Sequence, residues 1–198
     1  MALEKRRIRL YTDGSSIGNP GAAGIAYLLK DESGNTLAEG REPLGTATNN
    51  QAEYRAFLRG LELARCLGAC EIEWFSDSEL LVKQWQGVYR IKDAGLRQLM
   101  QEARRLAQGM LIRPYAVPRN SSPEMAQVDR WARGVALGTL EPIAPSRSQA
   151  ATDRRPTRKP RFPARGAHLL LGFSTGECAR QQAYPFKGTN GGGCKYEL

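Results

Sequence analysis

No apolar run in this chain approaches the roughly 18 residues that a membrane-spanning helix needs, which excludes an integral helical membrane protein. The first residues, Met1 to Arg9, pass directly into an alternating pattern without the apolar stretch of a secretion signal, so the expected compartment is the cytoplasm. Cysteine is sparse: Cys66, Cys70, Cys178 and Cys194 are too few and too scattered for a disulfide scaffold, and a reducing compartment keeps them as thiols. Histidine is rarer still. The single one, His168, lies near the C-terminus and reads as incidental.

What remains is an ordinary globular composition, 41% hydrophobic and 25% charged over 198 residues, which suits one core plus an appendage. The charge is not ordinary. Lys and Arg exceed Asp and Glu to give +9, an electrostatic footprint suited to polyanions such as nucleic acid. Ten basic against four acidic residues from Glu141 onward put most of that excess in the tail. There Arg154 to Arg161 alternates base with Pro and Thr, a composition that cannot bury enough surface to offset its ordering entropy. The expected division is therefore a folded domain over 1–138 and a basic, Pro- and Gly-rich disordered tail over 139–198.

Within 1–138 the hydrophobic period switches between two and about 3.6. Arg7 to Asp13 alternates as a strand, and Gly14 to Gly21 is dense in turn residues. Gly24–Lys30 and Thr36–Arg41 complete a meander. Thr48-Asn49-Asn50 starts a helix carrying Tyr54, Phe57, Leu61 and Ala64 on one face. A strand through Ile72 and Trp74 ends at Ser76-Asp77, and a helix before it implies a crossover that lays it parallel to an earlier strand. Helices at Glu79–Trp85 and Leu96–Ala107, a strand at Leu111–Val117 and a helix opening at Ser122-Pro123-Glu124 follow. This succession predicts an α/β protein, a mixed sheet with helices on its faces.

Four acids then stand out. Asp13 and Asp77 end two strands that are expected to be parallel neighbours, at the carboxyl edge where open α/β sheets place ligands. Glu53 precedes Phe57 by four, and Asp129 sits beside Val128 and three before Ala132, so both lie along the buried sides of their helices. Taken singly each has a structural explanation, as a turn former or a helix-dipole partner. Converging, they would repel by several kcal/mol, of order, unless cations neutralised them. All-oxygen ligands favour a hard cation, Mg²⁺ or Mn²⁺.

These residues carry a resemblance. Tyr11-Thr12-Asp13-Gly14-Ser15-Ser16 with Gly18-Asn19-Pro20-Gly21, then Thr48-Asn49-Asn50-Gln51-Ala52-Glu53, Ser76-Asp77-Ser78 and Val128-Asp129-Arg130-Trp131-Ala132 resemble the type I ribonuclease H family. The resemblance implies the ribonuclease H-like α/β fold, with a five-stranded mixed sheet in the order 3-2-1-4-5. It implies an endonuclease that cuts the RNA strand of RNA/DNA hybrids with two Mg²⁺ or Mn²⁺ ions, leaving 5′-phosphate and 3′-hydroxyl ends. Asp13, Glu53, Asp77 and Asp129 would be the catalytic metal ligands. Asp13 would serve both ions, Asp129 the ion that activates water, and Glu53 with Asp77 the ion at the leaving oxygen. Gly14, Ser15, Asn19, Thr48, Asn49 and Gln51 would bind substrate, the amides sensing 2′-hydroxyls and Thr48 a DNA phosphate. Without the motif, Asn49 reads as a plain N-cap and Asn19-Pro20 as a plain turn.

The chain departs from the family pattern in three places. Met125 stands where many members carry Asn, and Arg119-Asn120-Ser121-Ser122-Pro123 has no His, leaving Arg119 as a candidate participant. The basic, Trp-rich handle of some members is missing, since Gly87-Val88-Tyr89-Arg90-Ile91-Lys92-Asp93 resembles a handle-less subgroup. Hybrid affinity must then come from elsewhere, and the tail is one source of non-specific phosphate contacts. A monomer with no membrane partner is expected. The alternatives are a non-catalytic hybrid-binding module and another nuclease of the same fold.

Overall fold

The structure is a computed structural model that describes residues 6–147. Strands β1 (Arg7–Gly18), β2 (Gly21–Lys30) and β3 (Thr36–Ala47) form an antiparallel meander. Helix α1 (Asn49–Cys66) carries the chain back, so that β4 (Glu71–Ser76) lies parallel to β1. Two helices, α2 (Glu79–Trp85) and α3 (Ala94–Leu106), lead to β5 (Leu111–Ala116), parallel to β4. Helix α4 (Pro123–Ala136) and a short strand β6 (Ile143–Arg147) follow. The sheet order is β5-β4-β1-β2-β3-β6.

Central strands are buried on both faces because helices cover both. On one face Ile8, Leu10, Ile25 and Trp74 pack with Phe57, Leu61 and Ala64 of α1 and with Met100 of α3. On the other, Tyr11, Ala26 and Leu28 meet Met125, Val128 and Ala132 of α4. Burying each large side chain of this kind stabilises the fold by about 1.5–3 kcal/mol. Trp74 stacks on Phe57 with ring centroids 3.6 Å apart, and its indole N–H donates to the buried Thr12 hydroxyl at 2.9 Å, so its one polar atom is satisfied. Across the parallel strands Tyr11, Phe75 and Tyr115 stack in a row at 4.9 and 5.0 Å, side-chain pairs that pin the register.

Two expectations change. Gly14 to Gly18 does not leave the sheet. It extends β1 against Gly21–Ile25 of β2, and only Asn19-Pro20, joined by a cis peptide, makes the turn. The sheet also has six strands instead of five. β6 pairs with β3 at Arg147/Ala38, Ser146/Glu39 and Ile143/Arg41, so regular structure continues past residue 138. Arg41 secures this return: its Nε donates to the Glu141 carbonyl at 2.7 Å while its guanidinium covers the Trp131 ring. The remainder of the expected tail, 148–198, lies outside the described residues. No described helix is long and apolar enough to cross a membrane.

Helix and sheet approach closely at Gly14, where an added Cβ would come within 2.3 Å of the Ala52 carbonyl carbon and the Glu53 amide nitrogen. Backbone cannot yield as a side-chain tip can. Gly14→Ala is therefore expected to lower unfolding stability by about 1–3 kcal/mol, seen as a lower urea midpoint with an unchanged slope.

Candidate active site

The parallel register of β1 and β4 runs through Tyr11/Phe75 and sets Asp13 and Asp77 side by side, just past the end of β4. Gly14, with no side chain, lets α1 lie against β1 and brings Glu53 to the same place. The start of α1 is fixed by a capping box: the Thr48 hydroxyl accepts from the Gln51 amide at 3.2 Å, and the Gln51 side-chain oxygen accepts from the Thr48 amide at 3.0 Å. One carboxylate oxygen each from Asp13, Glu53 and Asp77 then falls within 4.8 Å of the others.

These acids are deeply placed, with Asp13 1% and Glu53 2% exposed. Both Asp13 oxygens, Glu53 Oε2 and Asp77 Oδ1 are buried with no hydrogen-bond partner. Buried polar atoms are almost always satisfied, so four orphaned acceptors in one place mark a position made for something that donates or carries positive charge. Burial raises the Asp13 carboxyl well above its ordinary range, and the charges of Asp77 and Asp129 raise it further. Glu53 is raised likewise, by burial first and then by Asp13 and Asp77, with partial relief from the Gly14 backbone N–H. Oxygen-only donors at this spacing fit a hard divalent cation, Mg²⁺ or Mn²⁺.

Asp129 enters from α4, whose Ser122 N-cap and Pro123 fix where the helix begins, while Val128 and Ala132 bury the face beside it. It stands outside the group of three. What joins it to them is Arg119, whose Nε lies 2.8 Å from Asp77 Oδ2 and 3.2 Å from Asp129 Oδ1. This guanidinium occupies the loop in which the family pattern has a His, and it offsets part of the acidic charge. Met125, at the position where many members have Asn, is buried against Tyr11 and Leu28 and serves packing.

The residues expected to bind substrate gather at the same end. Asn19 at the β1–β2 turn accepts from the Asn49 amide through its Oδ1 at 3.2 Å, which ties the turn to the start of α1. Asn49 is exposed, while Ser15, Thr48 and Gln51 are half-buried and Gly14 is buried. Thr48 and the Gln51 oxygen are engaged in the cap, so the Gln51 amide nitrogen is the group left to face a ligand.

A family model described as "Reverse transcriptase-like" matches residues 11–110. Ribonuclease HI of Halobacterium salinarum is 43% identical over 103 residues, 52% of this chain and 52% of its own length. The chain belongs to the ribonuclease H family. "Bifunctional protein Rv2228c" of Mycobacterium tuberculosis is 34% identical over 190 residues, 93% of this chain and 52% of that protein. The chain thus spans about half the length of these curated relatives. Among solved ribonuclease H structures, LC11-RNase H1 in complex with RNA/DNA hybrid superposes with a TM-score of 0.62 at 35% identity, covering 68% of this chain and 99% of that one. The ribonuclease H fold and its mixed sheet agree with the expected order 3-2-1-4-5, to which β6 is added outside β3.

Raised acid pKa values carry a stability consequence of definite sign. The folded chain holds protons on Asp13 and Glu53 at pH values where the unfolded chain has released them. Their contribution is complete below about pH 4, near the unfolded values, and is lost as pH rises through the folded ones. In EDTA, Asp13→Asn is expected to be more stable than the parent at pH 7, with the gap closing toward pH 4 in urea titrations. Equal midpoints at pH 7 would contradict the repulsion described here.

Proposed function

We propose that this chain is an endoribonuclease that hydrolyses the RNA strand of RNA/DNA hybrids, using two divalent cations, Mg²⁺ or Mn²⁺. The observation that carries this reading is the set of buried carboxylate oxygens of Asp13, Glu53 and Asp77 that lack any partner at the carboxyl edge of the sheet. Asp13, central and with both oxygens free, is the ligand suited to serve two ions. Glu53 and Asp77 would hold, with Asp13, the ion near the leaving oxygen, and Asp129 would help hold the ion that activates water. When bound, such a pair of cations lowers the pKa of water and stabilises both the attacking and the departing oxygen. Water adds to phosphorus and gives up a proton, the bond to the 3′ oxygen breaks, and that oxygen takes up a proton from solvent, leaving 5′-phosphate and 3′-hydroxyl ends.

The chain's own residues supply position and selectivity. Asn49 offers a short amide that both donates and accepts, and Asn19 and Gln51, whose oxygens are engaged at the start of α1, offer amide N–H groups, the type of group that can sense a 2′-hydroxyl in a shallow minor groove. In this reading Gly14 and Ser15 contact the scissile strand and Thr48 takes a DNA phosphate. Arg119 holds Asp77 and Asp129 in relation to each other and carries positive charge to the edge where phosphate arrives. The hybrid complex of LC11-RNase H1 supports this substrate class. A module that only binds hybrid would have no use for unneutralised acids facing a polyanion. Residues 148–198 add sequence-independent phosphate contacts, and the protein works as a cytoplasmic monomer.

Matched RNA/DNA, RNA/RNA and DNA/DNA duplexes incubated with Mg²⁺, Mn²⁺ or EDTA test the reading. The expected result is cleavage of the RNA strand of the hybrid alone, abolished by EDTA and reduced about 100-fold or more in Asp13→Asn. Equal cutting of DNA/DNA would refute the substrate assignment. Truncation after Arg147, which keeps β6, is expected to lessen the salt dependence of hybrid binding; an unchanged slope removes the tail from the interface.

A further inference from the structure

One face of the sheet is only half covered. Helix α4 lies over β1, β2 and β3, while α1, α2 and α3 all contribute to the core on the opposite face. Among the described residues this leaves the α4 side of β4 and β5 bare. Strand alternation and the parallel register place two rungs there, Arg9–Glu73–Arg113 and, nearer the carboxylates, Tyr11–Phe75–Tyr115. Charge in the lower rung is answered locally, with Arg9 3.4 Å from Glu73 and Arg113 2.7 Å from Glu71. The upper rung is aromatic.

That rung is closed at one end and open at the other. Its rings stack with centroids 4.9 and 5.0 Å apart and planes within 15° of parallel. Tyr11 is 8% exposed beneath α4, whereas Tyr115 is 40% exposed on the outermost strand. Beyond Tyr115 no further ring continues the row among the described residues. The end of such a row is apolar surface left in water, and a flat aromatic group laid on it removes that surface while keeping the offset-parallel geometry.

Position says which aromatic group this is. Asp77 lies two residues past Phe75, about 7 Å along the strand, and a ring stacked outside Tyr115 lies about two strand spacings, or 10 Å, to the side. The separation of about 12 Å is three to four nucleotides at about 3.4 Å of rise. Arg119, four residues after Tyr115, keeps its guanidinium 2.8 Å from Asp77 and adds positive charge to this margin of the site. Bases inside a duplex already stack on one another, so only an unpaired nucleotide has a face to give. We propose that Tyr115 stacks an unpaired base of the RNA strand where that strand continues, single-stranded, from the hybrid at the carboxylates. This rests on the nucleic-acid reading of the active site and deepens it by a substrate class, hybrids with an RNA overhang.

Binding without chemistry tests it. Full-length protein carrying Asp13→Asn is titrated in EDTA with fluorescent RNA/DNA hybrids that are blunt, or that carry four unpaired RNA nucleotides at the 5′ or the 3′ end. The expected result is a Kd about 5-fold or more lower for one of the two overhangs than for the blunt duplex. Removing the bases from that overhang, with its phosphates kept, returns the ratio to about one, as does Tyr115→Ala; Tyr115→Phe preserves it. The base-free probe needs no substitution at Tyr115, so the result stands whether or not the alanine variant folds. Equal Kd values for blunt and overhanging hybrids, or an advantage that survives base removal or Tyr115→Ala, overturn the proposal. A concentration-dependent dimer in sedimentation that Tyr115→Ala dissolves, with no overhang advantage, gives this face to a second copy instead. Cleavage is assayed separately on the parent. No cleavage with the overhang advantage present sinks the nuclease reading alone; cleavage with no such advantage sinks the stacking site alone.

Discussion

Repulsion among buried carboxylates is the interaction around which the rest of this molecule is arranged. Asp13 and Glu53 are buried away from solvent, and Asp77 beside them keeps one buried oxygen without a partner. Only a frame that is well stabilised elsewhere can hold them together without cations. That frame is the double-sided core: Phe57 stacked on Trp74 beneath α1, and the Met125, Val128 and Ala132 face beneath α4. A few tens of well-packed apolar side chains outweigh a few badly solvated acids, and the unfavourable charge is kept where it can act.

Each acid is delivered by a different structural device. Parallel pairing of β1 with β4 brings Asp13 and Asp77 abreast. A glycine contact and a capping box aim Glu53. Asp129 depends on where α4 starts, and on the Arg119 side chain that spans it and Asp77. Arg119 is a cation belonging to the chain itself, in contact with two acids that a divalent ion would also seek. Its charge softens the field without filling the space next to Asp13, where two oxygens stay bare.

Much of this was legible in the sequence because local pattern and tertiary role coincide. Strand alternation, the Thr48-Asn49-Asn50 start and the Ser122-Pro123-Glu124 start each follow from short-range chemistry, and the four acids sit at strand ends or on buried helix sides. What stayed hidden depends on partners far away in the chain. Gly14–Gly18 reads as a turn until β2 provides hydrogen-bond partners for it. Ile143–Arg147 contains Pro145 and sits in a stretch rich in Pro, Ser and Arg, so only the vacant edge of β3 reveals it as a strand.

The added strand also changes what the sheet presents to its surroundings. With β6 laid along Ala38 to Arg41 of β3, that part of the meander's edge no longer offers its amides and carbonyls to a stranger. At the opposite border β5 is only six residues long and has Pro114 in its middle, which removes one donor from the row. Among the described residues neither margin is a long flat template for another molecule's strand, so β6 and the proline in β5 both work against lateral growth into aggregates.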